Sequence, residues 1–471
     1  MSVRRSQEIN YQQPSAAHGA YRMSRVLPLG SQSATLSASS TTETLIEIPA
    51  KPMNLSKSAI EFTMVCDESA TASAVGRLHS YGLTMIERAS LYTRNGVYLA
   101  DLNNCPEFTR TLNPYLTKMA DFLEHDSSRG ATGVAAALNA KNGDKGFNNF
   151  RSNVAVPTAT PGVSSAPNGT RIGASGAAEA PSIGSTEPTY FVQGAARDGS
   201  ESGRMAVNFS VPLNAFHHSI MSQNKDVFLN QAVVLRIHWA PTNKIGFVST
   251  SATDLATGAA SLDGAVTISG IRVALAVETN EHIVVPLVEK VRSTGMKILT
   301  PYAYSYLFST PTGTSHNTQL RLNRGHGQRL LTVYQSVFNA TSTGRLAFDC
   351  NNVASAKVLG HQSQLDNVNL QDSIPIAEEG DDYILVRDLI KGSVCQDNNM
   401  YKANRCQIDT WRAGETCDYV ERDDVQDGIN LDSERIHSCK FTTASGSYRI
   451  YTFAICQREL SIQSNGDIRL E

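Results

Sequence analysis

Histidines and carboxylates are the residues here with the chemistry to hold a metal or move a proton. His217 and His218 are adjacent, and His238 follows in the same stretch. Adjacent side chains diverge on regular structure, and no carboxylate stands at a ligand-like offset, so the three read as ordinary core or surface histidines. Asp349, Asp366 and Asp372 are scattered among Asn and Gln and nominate no acid–base pair. Glu421, Asp423, Asp424 and Asp427 could attract a cation, but such a run reads first as a solvated loop. The cysteines are Cys66, Cys105, Cys350, Cys395, Cys406, Cys417, Cys439 and Cys456. None forms a Cys-x-x-Cys pair, and the even spacing of Cys395, Cys406 and Cys417 is used by no common zinc site. Buried or idle thiols are the expectation. Arg324-Gly-His-Gly327 has two glycines but no following helix pattern, which reads as a turn. There is no phosphate-binding glycine loop, no His-Glu-x-x-His and no Gly-x-Ser-x-Gly. The sequence therefore nominates no catalytic, cofactor-binding or metal-ligating residue, and the expectation is a protein that is not an enzyme.

The elements that would have positioned such residues are β-strands. The chain has 471 residues and a formal net charge of -3, with 41 Lys and Arg against 44 Asp and Glu. That balance argues against a polybasic nucleic-acid binder. Charged residues are 18%, below the usual roughly 25%, and small and uncharged polar residues take their place. No stretch reaches the ~18 apolar residues of a membrane span. Arg4 and Arg5 are followed by polar residues and not by an apolar signal segment, so synthesis in the cytosol is expected. The sequons at Asn54, Asn168, Asn208 and Asn339 then read as chance.

Residues 1–40 are rich in Ser, Gln, Ala and Arg without periodicity and are expected to form a flexible arm. Arg4, Arg5, Arg22 and Arg25 against Glu8 make its first part positive. Alternating runs begin near Thr42, and Ile86–Arg94 and Val97–Leu102 flank Asn95-Gly96, which predicts a type I′ hairpin. Leu112, Tyr115, Leu116, Met119, Phe122 and Leu123 recur at helical spacing, with Pro114 in the first turn. Residues 127–188 are dominated by Gly, Ala, Ser, Asn, Pro and Thr, too poor in large apolar residues for a core of their own. They read as a long surface insertion between two strands. Strand signals resume at Tyr190 and continue through 205–211, 227–239 and 264–278, with a short helical piece at 213–221. Residues 281–290, interrupted by Pro286, read as a connector. A second series follows at 303–308, 318–322, 329–338, 345–350, 383–386, 440–443 and 448–456. The pattern is all-β: two tandem antiparallel sandwiches with few short helices, residues 41–280 and 281–471.

Several segments carry a resemblance. Val211-Pro-Leu-Asn-Ala-Phe216, Asn224-Lys-Asp-Val-Phe-Leu-Asn230 and Leu235-Arg-Ile-His-Trp-Ala-Pro-Thr-Asn-Lys-Ile-Gly-Phe247 follow one another in the first half. The second half has Arg324–Tyr334, Ser363-Gln-Leu-Asp366, Asn369-Leu-Gln-Asp372, Asp382-Tyr383, Leu389-Ile-Lys-Gly-Ser393 and Asn399-Met-Tyr401. Their colinear order resembles that of the major capsid proteins of Polinton-like viruses and virophages, over roughly residues 40–470. The insertion at 127–188 departs from that pattern. The resemblance implies two eight-stranded jelly rolls in one chain. It further implies a homotrimeric capsomer of pseudo-hexagonal outline in an icosahedral virion, and contacts with neighbouring capsomers, penton and minor capsid proteins. The arm would touch the genome or inner shell weakly, and no cofactor is implied. A carbohydrate-binding or spike or fibre sandwich is the alternative, weakened by having only Trp239 and Trp411 to build an aromatic platform. A cupin-type enzyme would need a clustered His and carboxylate set.

Overall fold

The structure is a computed structural model. It describes residues 19–37, 41–67, 75–79, 82–105, 107–108, 171–172, 178–179, 189–193, 204–242, 246–249, 266–322, 325–336, 358–369, 374–375, 407–410, 429–431 and 434–470. The amphipathic stretch at 112–123, nearly all of the insertion, the strands expected at 345–350 and 383–386, and the acidic run at 421–427 lie outside the described residues.

The first half opens with β1 (Tyr21–Val26), β2 (Ala34–Thr35), β3 (Glu43–Ile48), β4 (Met53–Asp67) and β5 (Val75–His79). Next come β6 (Ile86–Thr93), β7 (Tyr98–Asn103), β8 (Arg171–Ile172), β9 (Ala178–Glu179) and β10 (Thr189–Gln193). It closes with β11 (Arg204–Pro212), β12 (Asp226–Val227), β13 (Val233–Trp239), β14 (Gly246–Ser249) and β15 (Val266–Glu278). One sheet runs β1-β15-β4-β11 and the other β3-β13-β6-β7, all antiparallel. Lettered B to I in chain order, these eight strands are B-I-D-G and C-H-E-F, two interleaved Greek keys that make a jelly roll.

Helix α1 (Glu281–Thr294) leads to the second half. Its long strands are β16 (Met296–Ser309), β17 (Gly313–Leu322), β18 (His326–Ser336) and β19 (Val358–Leu365). Four short ones follow: β20 (Val368–Asn369), β21 (Ile374–Pro375), β22 (Gln407–Thr410) and β23 (Ile429–Asn430). The chain finishes with β24 (Arg435–Gly446), β25 (Tyr448–Ile462) and β26 (Ile468–Leu470). The sheets are β16-β25-β18-β22 and β17-β24-β19-β20, again B-I-D-G and C-H-E-F. The chain is a double jelly roll, as its strand order alone establishes.

Period-two burial marks the strands that close the first core. On β13 the residues Val233, Leu235, Ile237 and Trp239 are fully buried while Val234, Arg236 and His238 are half-buried. Phe62 meets the Trp239 ring edge-on at 5.0 Å, and Trp239 Nε1 donates to Thr44 Oγ1 at 2.9 Å. The segment 213–221 forms two 3-10 turns, Leu213–Ala215 and Ile220–Ser222, and the expected strand 227–239 is divided into β12 and β13.

Two expectations need correction, and a third, the connector at 281–290, holds and gains a conformation. Residues 21–26, expected in the arm, are strand B of the first sandwich, in register with β15 from Tyr21↔Glu278 to Val26↔Val273. No residue of β1 is fully buried, so it has no apolar alternation to betray it. The Asn95-Gly96 hairpin is not type I′. Of the pair only Gly96 has positive φ, +82°, and Gly96 N donates to Thr93 O at 2.9 Å, a three-residue loop closed by a left-handed glycine. The two-residue turn with both residues left-handed lies elsewhere, at Asp366 (φ 51°) and Asn367 (φ 65°) between β19 and β20. The connector after β15 is a helix despite Pro286: the Asn280 side chain caps it by accepting from His282 N at 3.1 Å, and Gly295 at φ 77° ends it.

Candidate functional site: the seam and the loop-built sheet

The residues with chemical potential are dispersed over this framework. His238 on β13 pairs in register with Glu43, its Nε2 lying 3.8 Å from the carboxylate, and burial pushes its pKa below the ordinary value. His218 is buried in a left-handed conformation at φ 56°, edge-on to Phe108 at 6.3 Å. Among the described residues no three His, Cys, Asp or Glu side chains come together as a metal set. Cys105, Cys439 and Cys456 are buried free thiols. Burial pushes Cys456 up to about 12 and Cys105 further still, so neither presents a thiolate. Gly325, in the Arg324-Gly-His-Gly327 segment, turns the chain between β17 and β18 at φ 82°; a Cβ there would meet Gln457 O at 2.5 Å. Asp366 ties its hairpin to β24, accepting from Ile436 N at 2.9 Å and Arg435 Nη1 at 2.7 Å. The Ile436 N–H, and then Arg435, hold its carboxyl below the usual range. Asp349 and Asp372 lie outside the described residues.

What the fold does bring together is a seam between the sandwiches. Strand F of the first sandwich, β7, and its G–H connection lie against strand B of the second, β16, and Phe108, beyond β7, reaches strand I, β25. Ser305 and Phe453 are register partners on one face of that sheet. Asn104, just past β7, donates to Ser305 Oγ at 2.8 Å, and Phe108 packs on Phe453 with ring centroids 4.9 Å apart. Gln223 Nε2 donates to Leu299 O at 2.7 Å, Asn230 Nδ2 to Ser464 O at 3.2 Å and Gln231 Nε2 to Gly466 O at 3.0 Å. The apolar part of the seam is continuous with the first core, which takes in Ala303, Phe453 and Ile455. Alternate residues of β25, Ala454 and Cys456, face the second sandwich's own core with Leu320, Leu322 and Leu330. The whole run Tyr451–Cys456 is therefore buried, because β25 has protein on both faces. None of the seam residues is distinctive in sequence. Asn104 and Asn230, both at positive φ, are the nearest to a signal.

A second assembly stands at one end of the first sandwich. Chain direction reverses at every strand, so the B–C, D–E, F–G and H–I connections all emerge at the same end. Strands β5, β10 and β14 belong to the D–E, F–G and H–I connections, and they form a separate three-stranded sheet in the order β10-β5-β14. The described part of the insertion, β8 with β9, pairs only with itself.

The start of β1 is clamped. The buried Glu278 carboxylate accepts through Oε1 from Ala20 N at 2.8 Å, Thr279 N at 3.0 Å and Asn280 N at 2.8 Å. Tyr21 donates its hydroxyl to Asp226 Oδ1 at 2.9 Å beneath the Lys57 ammonium, 3.9 Å from its ring centroid.

No family model and no curated protein matches the chain. Among solved structures it is similar to the Sputnik virophage structure from cryo-electron microscopy, at TM-score 0.49 and 10% identity over 97% of this chain and 89% of that one. It is also similar to the mavirus major capsid protein, at TM-score 0.48 and 10% identity over 95% and 90%. A third is the structure of Sulfolobus Turreted Icosahedral Virus, at TM-score 0.41 and 10% identity over 93% and 91%.

Proposed function

We propose that this chain is a structural major capsid protein whose trimers are the capsomers of an icosahedral viral shell. The observation that carries the reading is the complete jelly-roll strand order occurring twice in one chain, with the two sandwiches fused through a shared apolar core. A block with two similar sandwiches at a fixed angle has two similar outlines. Three blocks closed by heterologous contacts around a threefold axis present six, a pseudo-hexagon able to tile a surface. The colinear sequence resemblance supports the same reading, and a chain low in charge and rich in uncharged polar residues suits wet contacts between capsomers. The sheet β10-β5-β14 would stand as an outward tower, and the residues before β1 would run along the inner shell near the genome. Neighbouring capsomers, penton and minor capsid proteins are the proposed partners, the virion the proposed location and the host cytoplasm the place of synthesis.

Native mass measurement and negative-stain microscopy of the expressed chain test this. The expected result is a stable trimer of hexagonal outline. A monomer with glycan affinity would replace the reading with a carbohydrate-binding or spike sandwich, and a tightly bound metal ion would point to a cupin-type enzyme.

A further inference from the structure

The two sandwiches treat the edge of strand C differently. In the first sandwich strand C is β3, six residues long, and carries Glu43 and Glu47. Leu29, in its B–C connection, donates its N–H to Leu45 O at 2.8 Å on the side away from β13, so that edge is occupied. Short length, charge and a covering loop are the devices that keep an edge strand from pairing with another chain. In the second sandwich strand C is β17, ten residues long, at the end of the sheet β17-β24-β19-β20. Among the described residues no strand pairs with its outer edge. It holds no Pro, and its register with β24 is unbroken from Ser315 to Leu322. Arg321 is its sole Lys, Arg, Asp or Glu, and Glu434 holds it at 3.2 Å.

The side chains of β17 divide with period two. His316, Thr318, Leu320 and Leu322 are buried, while Ser315, Asn317, Gln319 and Arg321 are exposed. Ser315, Asn317 and Gln319 make a row of hydroxyl and amide groups along the edge. Such a row offers hydrogen bonds and carries no charge to repel an identical row, so the strand is complementary to itself. In an antiparallel pair the residues that face each other lie on the same side of the sheet. Pairing centred on Asn317 satisfies this. It sets Asn317 opposite Asn317 of the second copy, and Ser315 of each copy opposite Gln319 of the other. The two Arg321 side chains then stand at opposite ends of the ribbon, and no like charges meet.

We propose that β17 pairs antiparallel with β17 of a second copy of this chain, across a twofold axis at Asn317, and so joins two neighbouring capsomers through one continuous sheet. The contact is isologous, the same patch on both sides, and is distinct from the heterologous contacts that close a capsomer about its threefold axis. Backbone N–H and C=O groups along the edge supply the attraction, as in strand addition generally. The row Ser315, Asn317 and Gln319 sets the register. The inference rests on the capsomer reading, and it adds how one capsomer holds the next.

The test compares two double variants with the same number of added charges at the same two positions. In Ser315→Lys/Gln319→Lys, lysine meets lysine twice across the axis. In Ser315→Lys/Gln319→Glu, each lysine meets a glutamate. Both positions are exposed, and their register partners Thr442 and Ser438 are uncharged, so both variants are expected to fold and form trimers, checked by circular dichroism and native mass measurement. A dilution series then reads the association of trimers with one another. The lysine-only variant is expected to need a concentration at least about tenfold higher for half-association than the lysine–glutamate variant, which associates as wild type. Amide exchange of wild type gives a measurement independent of any variant, with slower exchange at 315–321 in associated trimers than in isolated ones. Association kept in both variants, association lost in both, or no protection at 315–321 would overturn the pairing while leaving the capsomer reading standing. A wild-type chain that forms no trimer at any concentration would instead defeat the capsomer reading, and this contact with it.

Discussion

Leu235, Ile237 and Trp239 alternate with Arg236 and His238, and the alternation alone places them on one side of a strand. The fold puts all three in the core with no exposed surface. Truncating one leaves a cavity that the flanking strands β3 and β6 cannot close, so Leu235→Ala is expected to cost about 2–5 kcal/mol in denaturant unfolding. A loss of a few tenths would mean that the register of β13 is wrong. Asp366 is a different case, legible as a turn residue but not as an anchor, because Ile436 and Arg435 are remote in sequence. Its folded pKa lies below the ordinary 3.8. Its contribution to stability is therefore present above that value and lost as pH falls through the lower folded one. Wild type is expected to melt above Asp366→Asn near neutral pH, with the gap narrowing only below pH 3.8. A gap independent of pH in acid would show that the carboxylate's charge plays no part.

Among the elements, β1 shows where sequence patterns lose their information. An edge strand buries little on either face, so composition marks it as arm, and only its ladder with β15 and the grip of Glu278 reveal it. Glu278→Ala removes the acceptor of three backbone N–H groups and leaves them unsatisfied. The expected outcome is that trypsin cuts after Arg22 and Arg25 much faster in this variant than in wild type, read from fragment masses. Equal rates would mean that β1 is held by its ladder alone. The hairpin at Asn95-Gly96 carries the opposite lesson. The sequence located the turn, but the bulge between Leu91 and Tyr92 in the ladder with β7 set its type.

For the whole molecule, the shared core makes the two sandwiches one energetic unit. Phe108 and Phe453 join them across the seam at 4.9 Å. Calorimetry of the purified chain is expected to show one cooperative transition. Phe108→Ala should lower stability by about 3–5 kcal/mol and separate that transition into two, as each sandwich begins to melt by itself. Two transitions already in wild type would show that the seam does not couple the halves.

The sequence by itself determined the all-β class, the doubling, the core faces of strands such as β13 and the chain order that resembles a capsid protein, because alternation and turn residues are local properties of a strand. Only the tertiary structure decided that the strand order is B-I-D-G and C-H-E-F in each half. It alone showed that 21–26 completes the first sandwich, and that Asn104, Phe108, Gln223 and Gln231 fuse the two. Those choices depend on partners far apart in the chain, and a side chain such as Asn104 gives no sign of its partner until Ser305 has been folded against it.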